Sequence, residues 1–142
     1  MKKIIFVCTG NTCRSPMAMA VLRQKLKDNN ITVWQVDSAG LSAGESIMSE
    51  NSAKALEKIG IIINDFFSKP LTLDMALEAD LIVTMTKHHK EAILSAGIEK
   101  EKIRVLGDGI PDPFGGDAKS YTNCLEEIIK GIDTLFEEGV FN

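Results

Sequence analysis

The sequence predicts an α/β fold: one domain over residues 1–142, with a four-stranded parallel sheet doubly wound by helices on both faces. Three observations carry that expectation. Short β-branched runs alternate along the chain with longer stretches of helical apolar spacing. The runs KIIFVC and LIVTM lack in–out alternation, as strands covered on both faces do. No repeat, low-complexity tract or Pro/Gly/Ser linker interrupts the pattern.

Lys3–Cys8 reads as the first buried strand. Ser15-Pro16 then opens a helix, because serine caps free N–H groups and proline suits the first helical position; apolar spacing carries that helix over Pro16–Lys27. Thr32–Asp37 is the second strand, closed by the turn Ser38-Ala39-Gly40. Glu50–Ile59 is a helix stopped by Gly60, whose missing Cβ permits a left-handed cap. Thr72 caps a short helix through Glu78. Leu81–Met85 is the third strand, followed by a helix over Lys87–Ala96 that Gly97 ends. Ile103–Leu106 is a weaker fourth strand. Tyr121, Leu125, Ile128, Ile132 and Leu135 share one stripe of a long C-terminal helix.

Composition narrows the function classes. The 142 residues are 44% hydrophobic and 25% charged, a soluble globular balance. Sixteen Lys and Arg against twenty Asp and Glu leave a net charge of −4, which argues against a nucleic-acid binder working through bulk positive charge. The longest apolar run, Met17–Leu22, is far short of the roughly 18 residues that cross a bilayer, so no membrane role is expected. Lys2 and Lys3 before Ile4–Cys8 mimic a signal peptide, but the apolar stretch is too short and no cleavage context follows. Cys8, Cys13 and Cys124 are too sparse for a disulfide framework, which points to a reducing cytoplasm.

In a doubly wound sheet, ligands bind beyond the carboxyl ends of the strands. The loop after the first strand reads Cys8-Thr9-Gly10-Asn11-Thr12-Cys13-Arg14-Ser15-Pro16. A loop wrapped between a strand and a helix N-terminus points successive N–H groups into one concavity that suits a tetrahedral oxyanion. Gly10 is expected to supply backbone angles that a side chain forbids. Arg14 offers a planar fork to two phosphate oxygens. The same dipoles, with Arg14, favour Cys8 as a thiolate placed for in-line attack on phosphorus. Spacing alone would leave Cys8 a buried strand-end cysteine and Arg14 a surface residue. The strand–turn–helix context is what gives the spacing its chemical meaning. Cys13 shares the loop and is the candidate resolving partner for an oxidised Cys8.

A phosphoenzyme mechanism also needs an acid for the leaving group and then a base for water. Asp112 is the candidate, in Gly109-Ile110-Pro111-Asp112-Pro113-Phe114-Gly115-Gly116. This stretch follows the fourth strand and so lies at the same sheet edge as Cys8. Its prolines stiffen the carboxylate, and its glycines let the chain fold over a pocket. Alone, Asp112 would read as a turn cap.

This loop resembles that of the low-molecular-weight protein tyrosine phosphatase family, Cys-x-x-Gly-Asn-x-Cys-Arg-Ser-Pro, at Cys8, Gly10, Asn11, Cys13, Arg14, Ser15 and Pro16. Asp112-Pro113 is similar to that family's general-acid loop, and Ser38-Ala39-Gly40 to the turn after its second strand. The resemblance implies Cys8 as nucleophile, Arg14 as phosphate clamp and Asp112 as general acid. It also implies a substrate-binding loop of Thr9, Gly10, Asn11, Thr12, Cys13 and Ser15, with Asn11 holding its shape and Ser15 bonded to the Cys8 thiolate. Thr12 and Phe114-Gly115-Gly116 are similar to the bacterial protein arginine phosphatase branch. Thr12 stands where tyrosine-specific members carry an aliphatic residue, and Leu41–Glu50 holds no aromatic to stack on a phenol. A phosphotyrosine ring wants apolar walls, whereas a hydroxyl and a carboxylate suit the polar, cationic guanidinium of phosphoarginine; the alternative is that Thr12 is a neutral swap for a β-branched aliphatic.

The resemblance thus implies a phosphatase acting on phosphorylated proteins at phosphoarginine, with phosphotyrosine as the alternative. Arsenate reductases with a similar loop relay a disulfide through cysteines after the third strand; Thr84–Gly97 has none, and Cys124 reads as a core residue. A non-catalytic phosphoprotein-binding module would have no use for a paired nucleophile and acid. His88-His89 is a poor chelate, since adjacent helical residues point about 100° apart, and reads as a solvated helix face. Neither metal nor cofactor is expected.

Overall fold

The computed structural model describes residues 1–142. Four parallel strands, β1 (Lys2–Cys8), β2 (Trp34–Gly40), β3 (Leu81–Thr84) and β4 (Ile103–Val105), form one sheet in the order β2-β1-β3-β4. Four α-helices lie between them, α1 (Arg14–Asp28), α2 (Glu50–Lys58), α3 (Leu73–Glu78) and α4 (Lys87–Ser95), and α5 (Ala118–Glu137) follows β4. A short 3₁₀ turn, Lys100–Lys102, enters β4. No helix is long and apolar enough to cross a membrane.

The strands are wrapped on both faces, as their continuous apolar runs require. Ile4, Phe6 and Cys8 pack toward α1, α2 and α5 in the larger core. Ile5 and Val7, on the other face, meet Ala76 of α3 and Ile93 of α4 in the smaller one. All five stripe residues of α5 are buried, Ile128 and Ile132 completely. Because β2 and β3 flank β1, the chain switches direction there. The loop after β1 leaves for one face and the segment after β3 for the other, opening a crevice at their carboxyl ends.

Two expected boundaries shift for a reason that bears on the site. Ser38, Ala39 and Gly40 are the end of β2 and not a turn, paired with Phe6, Val7 and Cys8. These small residues are buried where the loop after β1 presses on the strand, so the breaker reading fails. Helix α1 begins at Arg14, two residues early, and Ser15 does not cap it. Ser49, Thr72, Thr86 and Asp117 each cap their helix by accepting a backbone N–H, whereas α1 has no side-chain cap. Its first N–H groups are left for something else. Elsewhere β3 and β4 end one residue early, yet Met85 and Leu106 still donate into the ladder, to the Val7 and Thr84 carbonyls at 3.0 and 2.9 Å.

Candidate active site

The loop between β1 and α1 is held from outside by its carbonyls. Cys8 O accepts from Leu41 N at 3.0 Å, Thr9 O from Ser42 N at 2.9 Å and Thr12 O from Ser49 N at 2.9 Å. The Asn11 carbonyl accepts from the Ser68 hydroxyl at 2.7 Å. A trans peptide sets its C=O and N–H in opposite directions. Each brace therefore turns the next N–H, those of Thr9, Gly10, Thr12 and Cys13, to the loop's inner side. None of these four has an acceptor within the chain. They line a cavity of about 240 Å³ with Cys8, Arg14, Asp112 and Phe114. Convergent N–H groups at an uncapped helix start make an oxyanion cradle.

Asn11 shapes the cradle from within. It is fully buried and adopts φ +55°, the left-handed region that asparagine tolerates better than most side chains. Its Nδ2 donates to Ser15 Oγ at 2.8 Å and Ser38 Oγ at 3.0 Å. Its Oδ1 accepts from Lys69 N at 3.1 Å, and Asp37 pairs with the Lys69 ammonium at 2.6 Å. Gly10 does not have the positive φ that the sequence suggested; Asn11 takes it instead. The glycine the cradle requires is Gly40. A Cβ there would stand 2.6 Å from the Thr9 carbonyl oxygen and 3.0 Å from Asn11 N.

Cys8 Sγ sits at the bottom, buried, 2.9 Å from Ser15 Oγ. Because Ser15 accepts from Asn11, its own hydrogen goes to the nearer of two acceptors, Cys8 Sγ rather than Ala39 O at 3.4 Å. Asn11 N–H donates to the same sulfur at 3.3 Å. The buried Arg14 is aimed by Nη1, which donates to Ile110 O at 3.0 Å. Its Nη2 lies 3.6 Å from Asp112 Oδ2. The Asp112 side chain is 52% exposed on the rim, and its Oδ1 accepts from Phe114 N at 3.1 Å. Phe114 stands largely exposed at the mouth. Every loop residue singled out in the sequence, together with Asp112, is thus found at this one place.

Cys13 lines the cavity and also meets residues behind the loop. Its Sγ lies 3.5 Å from Ser49 Oγ and 3.7 Å from the Tyr121 hydroxyl. Burial, then the hydrogen bond with Cys13, pushes the Tyr121 phenol up to about 12. Burial likewise raises the Cys124 thiol to about 12, which keeps it protonated and inert inside the core.

His89 corrects the sequence reading. His88 is exposed, but His89 is only 3% exposed, and its Nε2 lies 2.9 Å from Thr9 Oγ1. The signal was present: His89 precedes the buried Ile93 by one helical turn and shares its stripe. Burial, then the charge of Arg14 and of His88, lowers its pKa from 6.5 to about 4, with Asp112 opposing. The unfolded chain therefore binds this proton more readily than the folded one. The stability His89 confers is complete above pH 6.5 and shrinks as pH falls toward about 4. In urea unfolding, His89→Gln should flatten that part of the pH profile. An unchanged slope would place its origin elsewhere.

Leu41, Ser42, Ser49, Ser68, Lys69 and His89 are the site residues that the sequence did not disclose, and Gly40 entered only through the resemblance of its turn. Only His89 carried a readable signal, since the others act through backbone N–H groups, one small hydroxyl or the lack of a Cβ.

A doubly wound sheet with a cysteine-based oxyanion cradle at its switch point defines a class of phosphate-handling enzymes. Residues 3–139 match the family described as low molecular weight phosphotyrosine protein phosphatase, and the chain belongs to this family of protein phosphatases. The protein-arginine-phosphatase of Bacillus subtilis is 37% identical over 134 residues, 88% of each chain. The arsenate reductase of Halalkalibacterium halodurans is 33% identical over 141 residues, 97% of each chain. A solved YwlE arginine phosphatase, a variant with a phosphorylated serine in place of its active-site cysteine, aligns with a TM-score of 0.89 at 34% identity. That alignment covers 96% of this chain and 94% of the other.

Proposed function

We propose that this chain hydrolyses phosphoarginine residues in proteins through a phosphocysteine on Cys8. The observation that carries the reading is the convergence of Cys8, Arg14, Asp112 and the four inward N–H groups on one cavity. The cradle and Arg14 take the phosphoryl oxygens, and the Cys8 thiolate attacks phosphorus from below. The P–N bond breaks as the leaving nitrogen takes the proton of the Asp112 carboxyl, which is left as the carboxylate. Water then attacks the phosphocysteine, Asp112 accepts its proton, and phosphate leaves with the thiolate restored. The arginine phosphatase relatives support this course, including the variant that carries its phosphate on the serine replacing cysteine.

Thr12 supports arginine over tyrosine. It lines the cavity, and its peptide is braced on both sides by Ser68 and Ser49, so its side chain can change while the cradle stays. A guanidinium loses polar partners against an aliphatic wall, while a phenol gains contact there. Thr12→Ile should lower phosphoarginine hydrolysis relative to phosphotyrosine hydrolysis by about 1–3 kcal/mol, measured side by side on matched peptides. Equal loss on both would reduce Thr12 to a loop-shaping role. Phosphotyrosine remains the second reading, favoured by the exposed Phe114 ring at the mouth.

Cys13 lines the same cavity, which supports its reading as the resolving thiol of an oxidised Cys8. A cytoplasmic setting belongs to the same proposal, because a catalytic thiolate needs reducing surroundings.

A further inference from the structure

Thr9 lies beside Cys8 and lines the cavity. Its carbonyl is occupied by Ser42 N, and its hydroxyl has one partner in the chain, His89 Nε2 at 2.9 Å. His89 reaches it from α4, across the sheet from α1. The ring is fixed at its base: His89 N–H donates to Thr86 Oγ1 at 3.2 Å, so the residue sits in a capped first turn. We propose that His89 is a positioning residue that holds the Thr9 hydroxyl as a further hydrogen-bond donor to the phosphoryl group in the Cys8–Arg14 cradle. This inference rests on the phosphatase reading of that cradle.

The direction of the bond follows from the other ring nitrogen. His89 Nδ1 is buried with no hydrogen-bond partner. A proton on Nδ1 would leave a buried N–H without an acceptor, whereas a proton on Nε2 leaves only an unused lone pair. Orphaned donors are rarer in proteins than under-used acceptors. Nε2–H therefore donates to Thr9 Oγ1. A hydroxyl that accepts from His89 keeps its own hydrogen, and no other group of the chain takes it. What remains is the cavity, where a phosphoryl oxygen accepts. Donation from His89 polarises the hydroxyl and makes it the stronger donor. A neutral ring suits this task. A protonated one would set a second cation beside Arg14, and burial with the Arg14 charge keeps the ring neutral down to about pH 4.

The test compares Thr9→Val, Thr9→Ser, His89→Leu, His89→Gln and the Thr9→Val/His89→Leu pair. The readouts are the competitive inhibition constant of inorganic phosphate, kcat/KM on p-nitrophenyl phosphate, and the melting temperature of each variant. Thr9→Val should weaken phosphate inhibition about five- to tenfold, with a fall in melting temperature from leaving the buried His89 Nε2–H without an acceptor that the pair with His89→Leu does not share. His89→Leu should weaken it to a similar extent, and the pair should be no worse than Thr9→Val alone, because His89 acts through Thr9. Thr9→Ser and His89→Gln should return to within about twofold of the parent. An unchanged phosphate constant in Thr9→Val would overturn the proposal, showing that the hydroxyl points at His89. Losses that multiply in the pair would also overturn it. If His89→Leu does not fold, Thr9→Val and His89→Gln decide. A parent protein that phosphate does not inhibit would instead sink the phosphatase reading itself.

Discussion

Cys8→Ser is expected to abolish steady-state turnover of p-nitrophenyl phosphate while the protein still binds inorganic phosphate. A serine hydroxyl is far less acidic and far less nucleophilic than a thiol, and a phosphoryl group on serine is released to water far more slowly than one on cysteine. Ser15 and the Asn11 N–H both donate toward Cys8 Sγ, and neither is placed to take a proton from a hydroxyl standing there. The loss should exceed about 10⁴-fold, the scale of removing a nucleophile. The cradle of N–H groups and Arg14 is untouched, so phosphate affinity should change little. A phosphoprotein-binding module built on the same loop would show no turnover in the parent protein and no difference in the variant. Residual activity at a tenth of the parent rate would exclude Cys8 as the nucleophile.

Asp112→Asn should slow phosphocysteine formation by about 10²–10⁴-fold on substrates with poor leaving groups. Asp112 Oδ2 is 3.6 Å from Arg14 Nη2, so its carboxyl stands beside the phosphate clamp where a leaving atom departs. The flanking prolines stiffen the loop, and the bond from Phe114 N to Oδ1 holds the half-exposed carboxyl beside Arg14, where it can serve leaving group and then water. The amide can do neither task. Single-turnover rates across aryl phosphates should fall most steeply with rising leaving-group pKa in the variant. Identical dependence in both proteins would remove Asp112 from the mechanism. Phosphoarginine is a less clean probe here, because its basic leaving nitrogen can take a proton by another route.

How much of this was legible depended on whether a residue acts through its side chain or through its backbone. Cys8, Arg14 and Asp112 announce themselves by side-chain chemistry and spacing, and the structure gathers them as the sequence suggests; Ser15, whose chemistry reads as a helix cap, instead meets Cys8 as the family resemblance implies. Element order was readable because parallel strands must be apolar on both faces. The end of β2 was not, since Ser38 and Gly40 carry the composition of a turn while serving as strand residues under the loop. The left-handed angle went to Gly10 in the sequence reading because glycine is its usual holder; three side-chain hydrogen bonds and full burial put it on Asn11 instead. Ser49 and Ser68 brace carbonyls from segments with no local signal, so only tertiary structure reveals them.

Those braces also set the order in which the molecule can become competent. Leu41, Ser42, Ser49 and Ser68 reach the loop from tens of residues downstream, and Ser68 is 57 positions from the carbonyl it holds. Joining them requires β2 to dock against β1 and the 68–71 segment to settle on Gly40, both long-range closures with a high entropic threshold. A fragment spanning β1, the loop and α1 has every residue of the phosphate-binding sequence and none of the restraints that turn its peptides inward. Affinity for an oxyanion is therefore acquired late, as β2 and the 68–71 segment close over the loop, and a chain that binds phosphate has by that act shown that these long-range contacts are made.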